Sequence, residues 1–139
     1  ERKIMNMIAS GHSPVIHQVI SLDNITEAKK LINQIYLDEK IEKYILDMVF
    51  ASRFPEKYGL SDLKNYISFG ASPRASINLS IAARAMAFLK NRAFVIPEDV
   101  KDIAKDVLRH RIGLSFEAEA EEITSDDIIE KILGKIQAP

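Results

Sequence analysis

Apolar residues recur along this chain at intervals of three and four, broken by short polar or proline-marked stretches, and this rhythm predicts a succession of amphipathic helices. Residues 1–10 place Ile4, Met5 and Ile8 at helical spacing, and Gly11 supplies a stop. Residues 13–20 are apolar and extended, kept out of the preceding helix by Pro14, and read as a linker lying along a surface. Asp23 and Asn24 are capping types, and Ile25, Ala28, Leu31, Ile32 and Ile35 continue as a helix ending near Leu37. Asp38 caps the next helix. Its inward stripe is Ile41, Tyr44, Ile45, Met48 and Val49, its solvated face carries Glu39, Lys40, Glu42, Lys43 and Asp47, and Phe54-Pro55 ends it.

Residues 56–69 lose the rhythm and read as a loop around one helical turn at 62–66. The stretch Gly70-Ala71-Ser72-Pro73-Arg74-Ala75 then starts a helix: Ser72 is a preferred N-cap whose hydroxyl can accept from a first-turn N–H, and Pro73 suits the first helical position. This helix runs to about residue 91 and is apolar nearly all round, which predicts a central position in the bundle. Residues 92–96 form an extended connector, and Pro97-Glu98-Asp99 opens a helix with Val100, Ile103, Ala104, Val107, Leu108 and Ile112 on one side. Residues 113–122 read as a loop with a short strand or turn. Thr124 caps the last helix, with Asp127 positioned for a capping box and Ile128, Ile129, Ile132, Leu133 and Ile136 as its stripe. Similar extended residues ahead of Pro97 and Thr124 lead to the expectation of short paired strands at those two places. The fold expected is all-α, a small helical bundle with a minimal β pairing.

Composition narrows the function classes. At 139 residues and 47% hydrophobic content, the chain can fill one core. Basic and acidic side chains number 19 and 20, so no strong field exists to hold a nucleic-acid backbone or an anionic membrane, and neither is an expected partner. The absence of cysteine removes disulfide and thiol chemistry and suits a reducing cytoplasm. No secretory signal or membrane-length apolar run is present, and the expected location is cytoplasmic. The chain opens at Glu1 inside an uncapped helical pattern, which leads to the expectation that it is a piece of a larger protein.

Candidate chemistry is sparse. The chain has no G-x-x-x-x-G-K-[ST] loop and no G-x-S-x-G elbow. His12, His17 and His110 fall in separate segments without metal-ligand spacing, so no metal site is expected. Arg53 and the cluster Arg109-His110-Arg111 sit at helix C-termini, where cations suit the helix dipole. Arg74 is different, because a cation in the first turn opposes that dipole by roughly 0.3–1 kcal/mol. Two accounts are open: Arg74 pairs with a carboxylate or points into water, or a helix N-terminus and a guanidinium together grip a phosphate.

Taken in order, Gly-Ala-Ser-Pro-Arg-Ala at 70–75, the alanine-rich helix after it, Pro97-Glu98-Asp99-Val100, Val107-Leu108-Arg109-His110-Arg111 and Thr124-Ser125-Asp126-Asp127-Ile128 resemble the C-terminal lid of MoxR-type AAA+ ATPases. The resemblance spans about residues 20–137. It implies that residues 1–22 are the end of an ATPase core and its linker, and that residues 23–139 are a helical lid domain. It assigns Arg74 as the sensor 2 arginine contacting the γ-phosphate of ATP, with Ser72, Pro73 and Arg74 forming the turn that faces the nucleotide. ATP and Mg2+ would be cofactors of the full-length protein, and the partners would be its own ATPase core, further copies in a hexameric ring and a von Willebrand factor A domain protein. The implied function couples ATP binding and hydrolysis to chaperone-like maturation or remodelling of clients. One departure is Ile96, where relatives carry a threonine cap; the helix is expected to form but to be less stable by about 1 kcal/mol. The Walker A lysine, Walker B acids and sensor 1 are missing from this chain, so alone it is expected to be inactive.

Two rival readings start from the same helices. A stand-alone, non-enzymatic interaction module would use the apolar stripes to dock a partner helix. A helix-turn-helix nucleic-acid binder would place Arg109 and Arg111 on a backbone, against which the balanced net charge argues.

Overall fold

The computed structural model describes residues 1–11 and 16–139. The helices are α1 (Arg2–Ala9), α2 (Leu22–Ile32), α3 (Glu39–Arg53), α4 (Pro73–Leu89), α5 (Pro97–Leu108), α6 (Phe116–Ala120) and α7 (Ser125–Lys135), and a side-chain cap opens α2, α3, α6 and α7. Two 3-10 turns, Pro55–Tyr58 and Ser61–Leu63, follow α3. The strands β1 (Ile67–Phe69) and β2 (Gly113–Leu114) pair antiparallel. The architecture is the expected all-α bundle with a minimal β pairing.

The core is built where α3, α4, α5 and α7 meet, around Met48, Leu79, Val100, Leu108, Ile128 and Ile132. Each such side chain contributes about 1.5–3 kcal/mol on burial, which makes this four-helix contact the part of the fold that sets the rest. The α3 stripe read from the sequence is buried in full, and Ala51 and Ser52 extend it to the helix end. α1 and α2, by contrast, bury none of their residues.

The helix starts show how local chemistry sets the boundaries. Asp38 accepts from the Lys40 N–H at 2.9 Å. Thr124 and Asp127 exchange bonds in a capping box: the Thr124 hydroxyl accepts from the Asp127 N–H at 3.2 Å, and Asp127 Oδ2 accepts from the Thr124 N–H at 2.8 Å. At α5 half of such a box suffices. Ile96 has no hydroxyl to give, but Asp99 Oδ2 accepts its N–H at 3.1 Å. Asp99 Oδ1 also receives Arg92 at 2.5 Å and Lys90 at 3.2 Å. Burial pushes the Asp99 carboxyl up, yet the bonds from Arg92, the Ile96 N–H and Lys90 outweigh it and hold the group below its ordinary value.

Several boundaries and placements differ from the expectations. α2 is capped by Ser21, whose hydroxyl accepts from the Asn24 N–H, rather than by Asp23 or Asn24, and it ends at Ile32. Past that end the chain turns to bridge Tyr36 with Phe94 in parallel, the Tyr36 N–H reaching the Ala93 carbonyl at 2.9 Å. The expected strand pair ahead of Pro97 and Thr124 does not form: Val95 donates to the Tyr36 carbonyl, and the named strands lie at β1 and β2. There the Phe69 ring lies over Gly113, where a Cβ would come within 2.2 Å of it. Residues 113–122 hold, besides β2, the short helix α6, capped by the Ser115 hydroxyl on the Ala118 N–H at 3.2 Å. The surface-lying linker expected at residues 13–20 falls partly outside the described residues; Ile16 and Val19 are exposed.

α4 is only partly the all-round buried helix its composition predicts. It packs against α5, α3 and α2. It buries one narrow stripe, Ala75, Leu79, Ala83 and Ala87, whose small residues let the neighbouring helices approach closely. Ile77 and Ile81 stand more than half exposed, at 59% and 51%.

Candidate functional site at the start of helix α4

The turn into α4 is held from one side. The Ala71 N–H donates to Ser52 Oγ at 2.9 Å, and the Ser52 hydroxyl donates to the Val49 carbonyl at 2.7 Å. Gly70 lies so close to the end of α3 that a Cβ on it would sit 2.4 Å from the Ser52 carbonyl oxygen. Ala71 and Ala75 are fully buried and close the turn onto the core.

The other side is open. Ser72 takes the extended geometry of an N-cap (φ −74°, ψ 168°) and Pro73 occupies the first turn, but the Ser72 hydroxyl makes no capping bond. This corrects the expectation for Ser72: the Ala75 N–H, one natural target for that hydroxyl, donates instead to the Ser72 carbonyl at 2.8 Å. Arg74 is exposed, and among the described residues no hydrogen bond or ion pair is made by its guanidinium. Three other arginines of the bundle are engaged. Arg84 donates to the Ile35 carbonyl at 3.1 Å, Arg92 to Asp99, and Arg109 to both oxygens of Asp126 at 3.0 Å. The first turn of α4 holds no acidic residue, whereas α5 and α7 each hold two. A carboxylate partner for Arg74 is therefore removed from the two accounts, leaving water or an external anion.

Residues three and four apart share a helix face, so Arg74, Ile77, Ile81 and Arg84 form one side of α4, opposite the buried alanine stripe. Ile77, Ile81 and Leu46 of α3 line an apolar groove of about 330 Å³. On the other flank of the turn, Ser52, Arg53, Lys64 and Gly70 line a smaller polar pocket of about 250 Å³. Arg53 stacks its guanidinium 4.6 Å from the centre of the Phe50 ring and leaves its Nε buried without a partner. Sequence reasoning explained Arg53 by the helix dipole alone, took Gly70 only as part of the turn and overlooked Ser52, whose bond from Ala71 joins residues 19 apart.

The remaining candidates do not converge. Arg109 is committed to Asp126 and Asp106, which takes it away from the phosphate backbone that the helix-turn-helix reading requires. The Asp126 carboxylate raises the Arg109 pKa further, chiefly through its hydrogen bond. His12 lies outside the described residues. Among the described residues, no group of three or more histidine, aspartate and glutamate side chains is arranged to hold a metal ion, and no helix is long and apolar enough to cross a membrane.

Comparison with known proteins follows the same lines. The family model described as the AAA lid domain matches residues 61–132. Chaperone MoxR1 of Mycobacterium tuberculosis is 36% identical over 126 residues, an alignment covering 91% of this chain and 33% of that protein. Protein MoxR of Paracoccus denitrificans is 39% identical over 79 residues, covering 54% of this chain and 23% of the relative. The crystal structure of a Cytophaga hutchinsonii protein, provisionally named an ATPase, superposes with a TM-score of 0.89 at 43% identity, covering 99% of this chain and 42% of that one. The chain spans less than half the length of each of these proteins.

Proposed function

Because the chain belongs to the AAA lid domain family, as the C-terminal lid of a MoxR-type AAA+ ATPase, we propose that it serves as the sensor 2 module of that ATPase, with Arg74 contacting the γ-phosphate of ATP held by the core. The observation that carries this reading is the state of Arg74: an exposed guanidinium in the first turn of a helix, with no partner among the described residues, on a turn anchored to the bundle. Anions are favoured at that end of a helix, and a planar fork of donors matches phosphate oxygens. The Ser72 hydroxyl, free of any capping bond, adds a third donor beside it.

The residues fit half of a nucleotide site. ATP supplies the phosphoryl group, and Mg2+ would be held by the core, since this chain lacks the Walker residues. Arg74 would neutralise charge that grows on the γ-phosphate oxygens during transfer, and it would lose its contact once that phosphate leaves. The exposed face of α4 that continues from Arg74 through Ile77 and Ile81 would rest on the ATPase core, and release of the arginine would free the lid to rotate as a rigid body. In a hexameric ring this motion passes work to a client, directly or through a von Willebrand factor A domain partner, which is the chaperone-like role that the resemblance implies.

The test is turnover. Arg74→Ala in the full-length ATPase is expected to lower ATP hydrolysis on the order of 100-fold. The unfolding midpoint should stay at the parent value, since no internal contact is lost. Unchanged hydrolysis would contradict the reading.

A further inference from the structure

Ser52 is 1% exposed and, with Asp99, is one of two buried polar side chains among the described residues. Asp99 is accounted for by its capping bond to Ile96 and its two cations. Ser52 has neither a charge partner nor a capping role. Its hydroxyl both donates back into α3 at the Val49 carbonyl and accepts from the Ala71 N–H. Ala71 stands three residues before Arg74, in the turn that sets where α4 begins.

We propose that Ser52 is a positioning residue for Arg74, fixing the start of α4 on the end of α3 and so the direction in which the guanidinium leaves the lid. The inference rests on the phosphate-contact reading above. Three observations carry it. The hydrogen bond fixes one atom of the turn against the buried end of α3. Gly70 contacts the backbone of the same residue so closely that no side chain fits between them, which fixes a second point. Beyond Ala71 no further side-chain bond restrains the turn, because the Ser72 hydroxyl is not used as a cap. The orientation of Arg74 is thus inherited from the seating of α4 on α3, and Ser52 is the polar part of that seat. Without the hydroxyl, the buried Ala71 N–H would lose its partner and the turn would relax to find another. A displacement of about 1 Å at a reacting group is enough to cost up to about 100-fold in rate.

The test is a set of single and paired substitutions in the full-length ATPase, read by steady-state ATP hydrolysis. Ser52→Ala is expected to lower kcat about tenfold while KM for ATP stays within about twofold, the split expected of a group that acts on the transition state. Gly70→Ala, which drives a Cβ into the Ser52 carbonyl, should do the same through the steric contact alone. In an Arg74→Ala background either change should add less than about twofold, because a residue that acts through Arg74 has nothing left to position. Losses that persist in full in that background, or a parental kcat for Ser52→Ala, would overturn the proposal while leaving the role of Arg74 intact. A parental kcat for Arg74→Ala alone would overturn both, so failure of the underlying reading is seen separately.

Discussion

At the start of α7, Thr124 and Asp127 satisfy each other's backbone donors, and the acids of the first turn complement the helix dipole. At the start of α4 the corresponding hydroxyl, that of Ser72, makes no capping bond, the first turn has no acid, and Arg74 places a cation where the dipole disfavours it. Both ends are solvent-facing and both belong to helices that bury a continuous stripe. The difference lies in where the polar groups find partners. α7 closes its own terminus and is stable as it stands. α4 is held from behind by Ser52 and Gly70 and leaves its front donors free. A terminus restrained in position but unsatisfied in chemistry suits a partner brought from outside, and among residue types that partner's matching charge is negative.

This contrast can be broken or sharpened at defined positions. The largest stability effect is expected at Asp99, the third helix start: Asp99→Ala removes the Ile96 bond and takes the buried carboxylate from Arg92 and Lys90, which keep only the Phe94 carbonyl and Asp102, at a cost of about 2–3 kcal/mol in urea unfolding. The same carboxyl gives the pH dependence its sign. Asp99 is held below its ordinary value, as is Asp127 by the Thr124 hydroxyl and N–H, so their contribution is complete above about pH 4 and is lost as the pH falls through the lowered values. Asp99→Asn should flatten the acid limb of a plot of unfolding midpoint against pH. Thr124→Ala, which opens the capping box, should cost about 1 kcal/mol. Ser72→Ala should change stability by less than about 0.5 kcal/mol, although serine is as good a cap by type as threonine, because here no capping bond exists to lose. Equal costs at Thr124 and Ser72 would erase the distinction between the two termini.

The sequence made one half of this picture legible. α3, α5 and α7 combine long apolar periodicity with a strong start signal; the α3 stripe is buried in full, and those of α5 and α7 are buried except for Ile103, Leu133 and Ile136, which are partly buried against the core. Short elements carry too few residues for periodicity: α6 has five, and the strands three and two, so neither α6 nor the pairing of Phe69 with Gly113 stood out. Ser115 was the available signal for α6, a capping type followed by acids. For α4, composition suggested burial all round, but burial depends on which neighbours exist, and the described residues leave Ile77 and Ile81 more than half exposed. Arg74 was singled out by a purely local conflict with the helix dipole. Ser52 was not, because its role depends on a contact with Ala71 that only the tertiary fold creates.

The most direct measurement is a structure of the full-length ATPase with a non-hydrolysable ATP analogue and Mg2+. The account predicts the Arg74 guanidinium within about 2.7–3.1 Å of a γ-phosphate oxygen, with the Ser52 to Ala71 bond intact behind it. An Arg74 side chain that stays in solvent, or pairs with a carboxylate of the core while the γ-phosphate is bound by other residues, would contradict it.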